Sequence, residues 1–69
     1  MNRLRLAREQ RGISQRDLGK AMGVSAVTIS RYETGEHEPG IAELVKIADY
    51  FNVSVDYLLG RTDDPKIQK

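Results

Sequence analysis

The chain has 69 residues, 39% of them hydrophobic and 30% charged, with a formal net charge of +1 and no cysteine. That length holds one small domain, near the lower limit at which a single core folds unaided, and excludes a second. Without thiols, and with His37 as the one histidine, there is no disulfide framework and no set of metal ligands; no apolar run approaches a membrane span and no secretory segment opens the chain, so a cytoplasmic protein is expected.

The first helix is expected over about Asn2 to Arg11, with Asn2 as its cap, Leu4, Ala7, Arg8 and Arg11 along one stripe, and Gly12 ending it. Ile13 then turns into the core. Ser14 caps a second helix, Gln15 to Met22, in which Asp17 at the third position complements the helix dipole. Leu18 and Met22 share its apolar face, and Gly23 stands where the helix end calls for a positive φ. Ser25 caps a third helix, Ala26 to Thr34, closed by Gly35. Its Ile29 and Tyr32 turn inward, while Ala26, Val27, Ser30 and Arg31 form an exposed face. Helices joined this closely cannot lie side by side. They must cross at a wide angle with a small residue at the contact, and Gly19 fits that contact, which is the geometry of a helix-turn-helix.

Glu36 to Pro39 read as a loop. Gly40 takes the cap position of a fourth helix, Ile41 to Phe51, whose Ile41, Leu44, Ile47, Ala48 and Phe51 repeat with the spacing of a core-facing stripe. Asn52 caps its end and Val53 packs back. Ser54 then caps a fifth helix, Val55 to Leu59, ended by Gly60. Val55, Tyr57, Leu58 and Leu59 give this short helix more apolar surface than one face can bury. Two explanations stay open: something else covers it, or Leu58 and Leu59 complete the core. Residues 61–69, beyond a domain of residues 1–60, form a polar tail with a lone Ile67, expected to be mobile or docked on a partner copy.

Taken together and in order, GISQRDL, the small Gly19, MGVS, TISRYETG and LVKIADYFNVSVDYLLG resemble the Cro and phage C1 repressor-like helix-turn-helix domains, the XRE family, over about Leu4 to Leu59. The resemblance implies an all-α, compact five-helix lambda-repressor-like fold. It also implies a sequence-specific regulator of transcription, a repressor, that binds double-stranded DNA as a homodimer on a pseudo-palindromic, inverted-repeat operator, with the third helix in the major groove. Carried over by position, it pairs Arg8 with Glu33 in a salt bridge and places Gln15 against the DNA backbone. Ser25, Ala26, Val27 and Arg31 approach base edges, with Thr28 and Ser30 nearer the backbone. Val55, Leu58 and Leu59 are the residues through which two copies meet.

The pattern departs from that of many relatives at Ala26 and Val27, which lack hydrogen-bonding groups but offer methyl surface to a thymine methyl group. Arg31 is the residue able to grip guanine O6 and N7 bidentately, and a phosphate contact is the equal alternative. Glu36 and Glu38 stand where many relatives carry basic residues, which weakens the electrostatic grip.

Charge divides unevenly. Residues 1–31 carry seven Lys and Arg against two acids, and residues 32–69 carry four against eight, so the halves are +5 and −4. A basic half that includes the third helix suits a polyanion, although arginines on short helices also serve only to keep a surface solvated. The alternative to DNA binding is a protein-interaction module of the same fold, antitoxin-like or an adaptor. No set of Asp, His, Cys or Ser in catalytic spacing points to an enzyme, and no cofactor or small-molecule ligand is implied.

Overall fold

The computed structural model describes residues 1–66. Five helices follow one another: α1 (Leu4–Gln10), α2 (Gln15–Met22), α3 (Ala26–Thr34), α4 (Ile41–Phe51) and α5 (Val55–Leu58). No strand occurs among the described residues. The fold is the expected all-α, five-helix one.

Local chemistry sets most helix bounds. Ser14 Oγ accepts the Asp17 N–H at 2.9 Å while Asp17 Oδ2 accepts the Ser14 N–H at 3.2 Å, a reciprocal capping box at the start of α2. Ser25 Oγ accepts the Thr28 N–H at 3.1 Å and Ser54 Oγ the Tyr57 N–H at 3.0 Å, starting α3 and α5. Gly23, at φ 77°, ends α2 in the left-handed region. Asn52 does the same for α4 at φ 56°, a conformation its short polar side chain tolerates. α1 is shorter than its apolar pattern suggests. Its N-cap is Arg3, which supplies no side-chain cap, and the Arg11 N–H folds back onto Ala7 O and Arg8 O. α5 likewise stops at Leu58, with Leu59 as its C-cap.

α2 and α3 pack together most intimately. Where they meet, a Cβ on Gly19 would lie 2.6 Å from the Val24 carbonyl oxygen, so this contact is closed to any side chain. One aliphatic residue from each helix is fully buried: Leu4, Leu18, Ile29, Ile47 and Leu58. Met1, Ala7, Met22, Tyr32, Ala48 and Phe51 complete this core. Burial of each such aliphatic side chain contributes about 1.5–3 kcal/mol.

Two expectations about the core are also corrected. Ile41, placed on the core stripe by its spacing, is 83% exposed, because it opens the first turn of α4 beyond the edge of the core. Leu58, expected among the residues that meet a second copy, is fully buried within its own domain, so it has no surface to offer. Val55 and Leu59 beside it are half-buried. The start of the tail is tied to the same domain: the Ser54 N–H donates to Pro65 O at 2.9 Å, and the Arg3 guanidinium donates to Thr62 O and pairs with Asp63. Arg3 also lies 4.6 Å from the Tyr57 ring centre, a cation–π contact. Ile67 lies outside the described residues.

Candidate nucleic-acid interface

α3 is held from below and open above. Ile29 and Tyr32 anchor it in the core, and on the opposite face Val27 is 57% exposed. Ser25 and Arg31 are also exposed, whereas Ala26, Thr28 and Ser30 are half-buried. Ser25 and Thr28 are engaged with one another, their hydroxyl oxygens 3.0 Å apart. Arg31 Nε lies 3.7 Å from Glu36 Oε2, with both side chains more than half exposed, so solvent screens the pair and leaves the guanidinium free to turn outward.

The far end of α3 is fixed by a polar network. Arg8 Nε donates to Glu33 Oε2 at 2.7 Å and Arg8 Nη2 to Glu33 Oε1 at 3.4 Å. Arg8 Nη1 donates to Ile13 O at 2.9 Å, which ties the α1–α2 turn into the same arrangement. Gln15 Nε2 then donates to Glu33 Oε1 at 3.1 Å. The hydrogen bond to Glu33 raises the Arg8 pKa above its ordinary value, overcoming the opposing effect of burial. One carboxylate thus joins α1, α2 and α3. The Gln15 contact carries no local sequence signal, because it depends on α2 and α3 being already crossed. Lys46 Nζ, which donates to Met22 O at 3.1 Å and so fastens α4 to the end of α2, is silent in the sequence for the same reason.

The residues considered from the sequence therefore fall into two groups. Gln15 opens α2, Ser25 caps α3, and Ala26, Val27, Thr28, Ser30 and Arg31 follow along α3, with Gln15 and Ser30 lining one recess. Val55 and Leu59 lie on α5 and its end, away from these in sequence; Val55 borders a recess of about 320 Å3 with Val45, Ala48, Asp49 and Val53. No group of His, Cys, Asp or Glu among the described residues is placed to hold a metal ion. Among the described residues no helix is long and apolar enough to cross a membrane. What the α3 face offers chemically is a methyl surface at Val27, a planar five-donor cation at Arg31, and small hydroxyls around them.

Comparison with known proteins agrees with this geometry. The helix-turn-helix family HTH_3 matches residues 4–58. The chain is 39% identical over 59 residues to the transcriptional repressor RstR of a cryptic CTXphi phage in Vibrio cholerae, covering 83% of this chain and 53% of that protein. It is 36% identical over 63 residues to YobD of Bacillus subtilis, an uncharacterized HTH-type transcriptional regulator, covering 91% of this chain and 56% of that one. The chain thus spans about half the length of these curated relatives. Among solved structures, the P22 c2 repressor in complex with a synthetic operator superposes with a TM-score of 0.76 at 41% identity, over 81% of this chain and 85% of that one. With the family match running from α1 to the end of α5, the chain belongs to the helix-turn-helix family of the Cro/C1 type.

Proposed function

We propose that this chain is a sequence-specific double-stranded DNA-binding regulator of transcription, a repressor, that acts as a homodimer on a pseudo-palindromic operator. α3 enters the major groove with Ser25, Ala26, Val27 and Arg31 toward base edges, and with Gln15, Thr28 and Ser30 toward the backbone. The observation that carries this reading is Val27, an apolar side chain 57% exposed on a helix whose Ile29 and Tyr32 are buried. A branched methyl surface there suits the C5-methyl group of thymine, and the Arg31 fork suits guanine O6 and N7. The likeness to a repressor solved on its operator supports the same docking.

The Arg8, Gln15 and Glu33 network serves this function by holding the end of α3 rigid, since a readout face works only if its supporting contacts fix it. Two copies related by a two-fold axis set their α3 helices about 34–36 Å apart, one helical turn of DNA. Val55 and Leu59 supply the surface between copies, and Leu58 supports it from the core. Residues 1–60 form the binding unit, with the tail as an appendage, and the cytoplasm is the compartment that suits it.

The test is fluorescence anisotropy of a labelled duplex across a salt series. Affinity that falls steeply with salt marks neutralised phosphates and supports the reading. No binding to any duplex at low salt overturns it, and favours instead an interaction module that docks a protein on the face around the exposed Val27.

A further inference from the structure

We propose that the recess between α1, the start of α2 and the end of α3 seats one phosphate of the DNA backbone, with Arg5 as its cation. The proposal rests on the DNA-binding reading and adds a residue outside the helix-turn-helix itself. The recess has a volume of about 290 Å3 and is lined by Arg5, Arg8, Gln15, Ser30, Glu33 and Thr34.

Two acids border the site, and both are already answered. The Glu33 carboxylate accepts from Arg8 through both oxygens and from Gln15, so its charge is neutralised beneath the floor. Glu9 pairs with Arg5 one helical turn away at 3.3 Å, but these side chains are 53% and 71% exposed, so water screens that pair and an incoming phosphate can displace it. Arg8 is committed to Glu33 and Ile13 O. Arg5 therefore remains as the exposed guanidinium of the recess, and guanidinium geometry matches phosphate bidentately.

Neutral donors complete the seat. Gln15 uses one amide hydrogen on Glu33 and keeps the other. Ser30 makes no side-chain hydrogen bond among the described residues. The Thr34 hydroxyl donates to Arg31 O and accepts the Glu36 N–H, so it forms a wall and not a ligand. Ser30 and Thr34 follow Val27 at i+3 and i+7, on the same side of α3. A duplex whose bases meet Val27 brings its backbone past the recess.

The test uses a duplex that the wild-type protein binds, with the variants Arg5→Gln and Glu9→Gln. Arg5 is exposed, and an unchanged thermal midpoint checks the fold. Removing one phosphate contact should flatten the slope of log K against log salt by about 0.9, and lower affinity about eightfold at 0.1 M salt, on specific and non-specific sequences alike. Glu9→Gln should tighten binding. Replacing single phosphates by methylphosphonates should identify one position whose neutralisation weakens the wild type but not Arg5→Gln. If the wild type binds and Arg5→Gln keeps its slope, the seat is overturned while the DNA reading stands; if the wild type binds no duplex, both fall.

Discussion

Arg8 and Glu33, 25 residues apart in the chain, meet at 2.7 Å with only 13% and 5% of their side chains exposed, and through that contact α1 fixes the end of α3. Breaking one side of a buried pair leaves the other charge unanswered. Arg8→Ala should therefore cost about 3–5 kcal/mol in urea unfolding, and the double variant Arg8→Met, Glu33→Leu should cost less than that single change. A loss under about 1 kcal/mol for Arg8→Ala would place the pair among exposed ones and contradict this role.

Gly19→Ala tests the helix crossing. Alanine gains about 1 kcal/mol of helix propensity over glycine. Its Cβ, however, would stand 2.6 Å from Val24 O and 3.2 Å from the Ser25 carbonyl carbon, backbone atoms that cannot swing away. A net destabilisation of about 1–3 kcal/mol is expected by thermal or urea unfolding. An unchanged or raised midpoint would mean that α2 and α3 separate freely at this point.

Asp17 gives a pH dependence of known sign. The Ser14 N–H, then the Ser14 hydroxyl, hold its carboxyl below the usual aspartate pKa. A carboxyl depressed in the folded state stabilises above its unfolded pKa, and that stabilisation is lost as pH falls through the folded value. Asp17→Asn should therefore lower the thermal midpoint near neutral pH and converge with the wild type in acid. Parallel curves for the two proteins from neutral to acid pH would remove Asp17 as the cause.

Much of this fold is legible in the sequence because its helix ends are local events. Ser14, Ser25 and Ser54 cap the helices that follow them, and Gly23, Gly35 and Asn52 close α2, α3 and α4, so those signals sit within a few residues of what they control. Periodicity reads less well at the margins. Ile41 keeps the core spacing but lies past the core edge, and the pattern of α5 does not say which of its apolar residues points inward. Gln15 against Glu33, Arg11 against Phe51 O and Arg3 against the tail are all contacts across the finished fold, and no spacing rule encodes them.

For the proposed homodimer, Leu58 and Leu59 distinguish folding from association. Leu58→Ala empties a fully buried site and should cost about 2–5 kcal/mol of stability. Leu59→Ala, at a half-buried position, should weaken self-association in sedimentation more than it lowers the unfolding midpoint. Association unaffected by Leu59→Ala would move the contact between copies elsewhere.

In the proposed complex, Arg31 and Val27 divide the reading of bases. Arg31→Ala should weaken specific binding and relax preference at one base of each half-site, a discrimination of about 1–3 kcal/mol for a bidentate guanine contact. An equal loss on every sequence would make Arg31 a phosphate contact. Val27→Ala should reduce preference for thymine at a neighbouring position while leaving stability unchanged.

The central claim is that the α3 face reads DNA in two symmetric copies. Its most direct test is to incubate the purified protein with randomised duplexes at moderate salt, recover the bound fraction over several rounds, and sequence it. The account predicts two inverted half-sites whose centres lie one helical turn apart. A pool that gains no sequence at any salt would contradict it.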